Sequence, residues 1–170
     1  MKPLPHQQEF QIDSLAALSD LAVCLAHMLS PGDVVALNGT LGAGKTTFVS
    51  ALGQALGLKE AVTSPTFVLA HEYTSGPYPI FHADLYRLGP EGAESFCEEI
   101  FQVVDGGKSL VFIEWSDYAP SLTPEITLVV TIAIPSQPEA AESIRLFTIA
   151  SNRILDFSSF TTKNEGFPRL

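Results

Sequence analysis

Apolar runs of two kinds alternate along this chain, and the change of period marks where one element gives way to the next. Residues 34–37 (Val-Val-Ala-Leu) and 109–113 (Ser-Leu-Val-Phe-Ile) are short and almost continuously apolar, the pattern of strands buried on both faces. Leu15, Leu18, Leu21, Leu25 and Met28 recur instead at helical spacing. Asp13 and Ser14 precede that run with N-cap chemistry, and Pro31-Gly32 ends it. Phe48, Leu52 and Leu56 give one face of a second helix over residues 46–56, with Gly57 as its stop. A third helix is predicted to start at Gly89-Pro90-Glu91 and to run to Val104, carrying Phe96, Ile100 and Phe101.

The remaining apolar runs read as strands. Phe10-Gln11-Ile12 is a short one. Residues 68–73 and 78–83 flank the turn Ser75-Gly76-Pro77 and predict an antiparallel hairpin. Residues 126–134 and 143–150 form a further pair around the polar stretch 135–142. A hairpin breaks the chain order of a doubly wound sheet, so the sheet is expected to be mixed. Residues 1–150 read as a single domain. Residues 151–170 have weak periodicity and read as a tail.

The run at 34–37 leads directly into Gly39-Thr40-Leu41-Gly42-Ala43-Gly44-Lys45-Thr46, a complete G-x-x-x-x-G-K-[ST] phosphate-binding loop. Strand, loop and helix follow in the order the motif requires. Its glycines let the backbone approach a polyanion, and the loop amides with the helix N-terminus supply positive partial charge. Leu41, Gly42, Ala43, Gly44, Lys45, Thr46 and Thr47 are thus the candidate nucleotide contacts. Lys45 is placed to meet the β- and γ-phosphates and the Thr46 hydroxyl to meet Mg²⁺. The fold class expected is α/β: a P-loop NTPase-type three-layer domain with a mixed, mostly parallel sheet of about seven strands.

Composition narrows the partners. Of 170 residues, 46% are hydrophobic and 16% charged, which suits a compact domain with a lean surface. Nine Lys and Arg against nineteen Asp and Glu give a net charge of −10, which argues against a direct grip on nucleic acid. Cys24 and Cys97 have no metal-ligand spacing and suggest reduced thiols. No apolar stretch reaches the ~20 residues of a membrane span, so no membrane partner and a cytoplasmic location are expected.

Mg²⁺ needs oxygen ligands besides Thr46. Glu114 closes the apolar run at 109–113 and has the form of a Walker B carboxylate. Asp84 closes the strand before it. Both are candidate catalytic residues beside Lys45, and Glu114 is a candidate metal ligand with Thr46. His82 reads more simply as a structural histidine. Trp115 and Arg87 stay open between stacking or docking roles and ordinary packing or surface charge. The hydroxyls of Thr63, Ser64 and Thr66 have the look of a switch segment.

Taken together, these residues resemble the TsaE (YjeE) family of small bacterial ATPases. The loop from Gly39 to Phe48 matches that family's loop. Ser64-Pro65-Thr66-Phe67 matches its S-P-T-[FY] switch, His82-Ala83-Asp84-Leu85-Tyr86-Arg87-Leu88 its H-x-D-L-Y-R-L motif, and Ile113-Glu114-Trp115 its I/V-E-W motif. The four occur in family order. The resemblance implies binding of ATP and Mg²⁺ and slow ATP hydrolysis. It implies partnership with a threonylcarbamoyl transferase catalytic subunit and its inactive paralogue (TsaD and TsaB type), which build N6-threonylcarbamoyladenosine (t6A) in tRNA. The tRNA would be met only indirectly. It also implies that Asp84 is needed for hydrolysis and that adenine is contacted from positions matching Ser14 and Ser136. Glu98 and Glu99 depart from the pattern, standing where the family has a glycine turn. A small-molecule P-loop kinase and a non-hydrolysing nucleotide-dependent interaction module are the alternatives. A GTPase is disfavoured, because Thr162-Lys163-Asn164-Glu165 ends in Glu where its base-specificity motif needs Asp.

Overall fold

The computed structural model describes residues 4–135 and 143–160. Seven strands form one sheet: β1 (His6–Ile12), β2 (Val34–Asn38), β3 (Ala70–Tyr73), β4 (Ile80–Asp84), β5 (Leu110–Glu114), β6 (Leu128–Ala133) and β7 (Arg145–Ser151). Their order across the sheet is β1-β7-β6-β2-β5-β4-β3. The four middle strands, β6, β2, β5 and β4, are parallel. Antiparallel pairs β1–β7, β7–β6 and β4–β3 complete both sides. The fold is therefore α/β with a seven-stranded mixed sheet, parallel in its centre.

The sheet buries both faces, as the continuous apolar runs require. Side chains alternate across a strand. Val35, Leu37, Leu110, Phe112, Leu128, Val130 and Ile132 join one core with α1 (Leu15–Ala26) and α2 (Lys45–Ala55). Val34, Ala36, Val111, Ile113 and Val129 join the other, with α3 (Gly89–Asp105) and Leu122. Each fully buried Leu, Ile or Phe contributes about 1.5–3 kcal/mol relative to exposure. Helices on both faces leave the parallel strands' carboxyl ends as the open rim, where ligands meet such sheets.

β1 starts at His6 rather than at Phe10, and three further features depart from the sequence pattern. First, β3 starts at Ala70 rather than at residue 68. The Val68 and Leu69 amides donate to the Pro65 carbonyl at 2.9 and 2.7 Å, so the segment after Pro65 closes as a turn. Second, two 3-10 helices, Ser116–Tyr118 and Pro120–Glu125, follow β5. Third, residues 152–160 carry no regular element yet pack on the domain. Leu155 and Phe157 are buried, and Phe10 meets Phe157 and Phe160 at ring-centroid distances of 4.8 and 5.3 Å. Arg153 anchors this segment by bonding both Asp33 carboxylate oxygens at 2.6 and 2.7 Å. Ser136 and residues 161–170 lie outside the described residues. Among the described residues, no helix is long and apolar enough to cross a membrane.

Candidate functional site: a phosphate-binding loop with two carboxylates

The loop leaves β2 at Asn38 and enters α2 at Lys45. Gly39, Gly42 and Gly44 have φ of +146°, +78° and +105°, backbone that other residues rarely adopt. Gly44 is the N-cap of α2 and offers no side-chain cap. The first amides of a helix have no intrahelical partner, so here they face the loop's hollow as donors. A Cβ added at Gly42 or Gly44 would meet no heavy atom within 4 Å, so the cradle beside them is open.

Lys45 turns back along the loop. Its Nζ donates to the carbonyls of Gly39 (2.9 Å) and Thr40 (3.1 Å) and lies 4.0 Å from the centroid of the Trp115 ring. Burial pushes the Lys45 ammonium below its usual pKa, while the charges of Glu114, Asp84 and Asp117 push the other way and leave the net shift downward.

Parallel pairing brings the carboxylates beside the loop. Leu37 of β2 pairs with Glu114 of β5, which pairs with Asp84 of β4. The ends of three adjacent strands thus lie side by side, and the loop springs from the first. Thr46 Oγ1 donates to Glu114 Oε1 at 2.7 Å. His82 Nε2 lies 2.9 Å from the same oxygen. Asp84 Oδ1 accepts the Tyr86 amide at 3.0 Å, and Oδ2 accepts the Thr66 hydroxyl. The Thr66 hydroxyl also meets Ser64 Oγ at 2.6 Å. Asp84 therefore ties the Ser64–Thr66 segment to the site.

These groups line one cleft of about 300 Å³, with Leu41, Gly42, Gly44, Lys45, Thr46, Thr47, Ser64, Thr66, Asp84, Tyr86, Glu114 and Trp115 on its walls. A second cavity of about 280 Å³ shares Gly42, Gly44 and Thr47 with the first. Ser14, Ala43, Arg145 and Phe147 lie on its walls. Ser14 caps α1 by accepting the Ala17 amide at 3.2 Å, and Arg145 Nε donates to the Ala43 carbonyl at 3.2 Å, holding β7 against the loop. The cleft and the cavity thus share the loop as a common wall, the carboxylates lining the first and Ile12, Leu15, Leu18 and Phe147 lining the second.

Of the candidates named from sequence, the structure brings Lys45, Thr46, Asp84, Glu114, Ser64 and Thr66 to one cleft. Thr63 stands apart, its main chain held by the Tyr73 hydroxyl at 3.1 and 3.2 Å. Arg87 lies over the exposed Phe67 ring, 5.0 Å from its centroid, and not in the cleft. Trp115, left open by sequence, is in the cleft at φ +60°, with the tilted rings of Tyr86 and Tyr118 at centroid distances of 4.9 and 5.5 Å. Asn38 was not singled out; its Oδ1 accepts the Ser116 hydroxyl at 3.1 Å and pins the turn after β5 beside the loop. Its position immediately before Gly39 was the available signal.

An Mg²⁺ ion fits the donor set. Hydroxyl and carboxylate oxygens are the hard ligands it takes, and Glu114 Oε2 has no hydrogen-bond partner among the described residues. Among the described residues no three His, Cys, Asp or Glu side chains cluster to hold a metal alone.

Comparison with known proteins gives the same address. The family model described as "Threonylcarbamoyl adenosine biosynthesis protein TsaE" matches residues 12–144, which include every residue of the cleft. The tRNA threonylcarbamoyladenosine biosynthesis protein TsaE of Bacillus subtilis is 34% identical over 133 residues, 78% of this chain and 80% of that protein. The protein of the same name from a Nostoc species is 44% identical over 105 residues, 59% of this chain and 63% of that relative, so the match spans under two thirds of its length. The crystal structure of Bacillus subtilis YdiB superimposes with a TM-score of 0.65 at 25% identity, covering 87% of each chain. With a family model matched along most of its length and its motifs converging on one cleft, this chain belongs to the TsaE family.

Proposed function

We propose that this protein is a slow, Mg²⁺-dependent ATPase required for t6A modification of tRNA, acting in the cytoplasm beside a threonylcarbamoyl transferase subunit and its inactive paralogue. The observation that carries the hydrolytic reading is the convergence of Lys45, Thr46, Asp84 and Glu114 at the ends of three adjacent parallel strands. The names of its relatives, biosynthesis proteins of tRNA threonylcarbamoyladenosine, support the pathway.

In this reading the open loop amides cradle the phosphates and Lys45 stabilises charge that develops on them. Thr46 and Glu114 would hold Mg²⁺, which when bound neutralises phosphate oxygens. Asp84 keeps spare lone pairs on both carboxylate oxygens and can orient a water while it fixes Thr66. The second cavity, with Ser14, is the place for the nucleoside; Ser136 is proposed as a further adenine contact. The chain's net charge of −10 favours contact with tRNA through the partners rather than directly.

The test is phosphate release from ATP with and without Mg²⁺, alone and with the transferase pair. The expected result is Mg²⁺-dependent release that Lys45→Ala and Glu114→Ala abolish. Phosphate transfer to a small metabolite with no reaction with water would instead make the protein a kinase.

A further inference from the structure

The histidine at position 82 reads from sequence as a structural residue, and the structure ties it to the candidate metal ligand Glu114. Ile80, His82 and Asp84 share one face of β4, and Leu110, Phe112 and Glu114 share the matching face of β5. His82 pairs with Phe112 across the ladder. Its side chain is wholly buried, between the apolar core and the site. Burying an imidazole in such a place is costly unless its nitrogens are used. One is: Nε2 lies 2.9 Å from Glu114 Oε1. The other, Nδ1, is buried without any hydrogen-bond partner among the described residues.

That asymmetry fixes the ring's role. A carboxylate oxygen accepts, so the 2.9 Å contact assigns Nε2 of His82 as the N–H donor, and Nδ1 is the nitrogen left without a partner among the described residues. Oε1 then receives two donors, Nε2–H of His82 at 2.9 Å and the Thr46 hydroxyl at 2.7 Å. A glutamate has three side-chain rotors, and two donors on one oxygen restrict how its carboxylate can turn. Oε2 is left without a hydrogen-bond partner among the described residues.

We propose that His82 is a positioning residue for Glu114: its Nε2–H locks Oε1 and thereby presents Oε2 to the divalent cation. This rests on the ATPase reading above for the identity of the ion's role, though the His82–Glu114 contact itself does not. Groups that orient a metal ligand commonly change metal affinity 10–100-fold when removed. His82 acts through Glu114 and touches neither nucleotide nor phosphate in this assignment.

The experiment measures the Mg²⁺ dependence of ATP hydrolysis in His82→Leu and His82→Gln beside the wild type, with nucleotide affinity in EDTA and the thermal midpoint of each. His82→Leu should raise half-saturating Mg²⁺ about 10–100-fold while metal-free nucleotide affinity changes less than about threefold. His82→Gln, whose amide can donate from nearly the same point, should recover to within about threefold of wild type. Equal Mg²⁺ dependence in all three, or a loss in His82→Gln as large as in His82→Leu at matched thermal midpoints, overturns the proposal. A wild type without Mg²⁺-stimulated hydrolysis would refute the ATPase reading instead. A second measurement then decides His82 without turnover and without altering the histidine. Imidazole ¹⁵N spectra of the wild-type chain should show the Nε2–H tautomer, with an Nε2 signal that moves in Glu114→Ala. An Nδ1–H tautomer, or an Nε2 signal indifferent to Glu114, overturns the proposal.

Discussion

Thr46 and Glu114 are 68 residues apart and joined by a 2.7 Å hydrogen bond, with the threonine hydroxyl donating. The bond exists because Leu37 and Glu114 are register partners in parallel strands. The chain leaves β2, makes its loop, and returns with the first turn of α2 above the end of β5. Thr46→Val keeps the shape and removes the donor; Thr46→Ser keeps the donor. The expected outcome is a loss of about 10²–10³-fold in hydrolysis for the valine variant and under about tenfold for the serine variant, read by phosphate release. Equal losses would mean that the hydroxyl is not what matters.

Asp84 should separate binding from chemistry. It touches the Ser64–Thr66 segment and the Tyr86 amide, not the loop's amides. Asp84→Asn should leave nucleotide affinity within about threefold and reduce hydrolysis by about 10²–10⁴, the range for losing a proton-handling group. Isothermal titration beside single-turnover hydrolysis checks both halves.

Gly39 and Gly42 both have left-handed φ, yet they should respond differently to alanine. A Cβ at Gly39 would lie 2.3 Å from the Ile132 carbonyl oxygen on β6, whereas one at Gly42 meets nothing within 4 Å. Gly39→Ala should cost about 2–4 kcal/mol, from backbone strain plus displacement of β6, and Gly42→Ala about 1–2 kcal/mol from strain alone. Urea unfolding of the two variants gives the order.

The Asp33–Arg153 pair should make stability pH-dependent in a defined direction. Burial pushes the Asp33 carboxyl up, but Arg153's hydrogen bonds and charge, the Ser30 amide and the Thr127 hydroxyl outweigh it and hold the pKa below the usual aspartate value. A group depressed in the folded state stabilises fully above its unfolded pKa, about 3.9, and loses that contribution as pH falls through its folded value. Asp33→Asn should therefore cost about 1–2 kcal/mol at pH 7, with the difference from wild type shrinking below about pH 4. A difference that stays constant from pH 7 to pH 3 would remove the ion pair from the account. The same variant should release residues 151–160 to proteolysis earlier than the wild type.

Much of this was legible because it is local. The loop motif needs only neighbours in sequence, and continuous apolar runs name the two strands that flank it. Glu114 could be placed because it ends such a run. What the sequence hid depends on partners far along the chain. His82 looks like any buried histidine until β4 and β5 are in register, and Leu155 and Phe157 show no periodicity because they fill the core from an irregular segment. Trp115 at φ +60° is likewise a consequence of the turn that carries β5 into its 3-10 helix, which propensity does not foretell. The shifted start of β3 comes from the turn closed on the Pro65 carbonyl, where strand-forming Val68 and Leu69 yield to backbone hydrogen bonds.

The most direct test of the central claim is multiple-turnover t6A formation on tRNA by the transferase subunit and its paralogue, with this protein, ATP and Mg²⁺ added or withheld. Sustained turnover with the wild-type chain, and a stop after about one round with Lys45→Ala or without ATP, is the result the account predicts. Equal turnover with the chain absent, or with Lys45→Ala in place of the wild type, would contradict it.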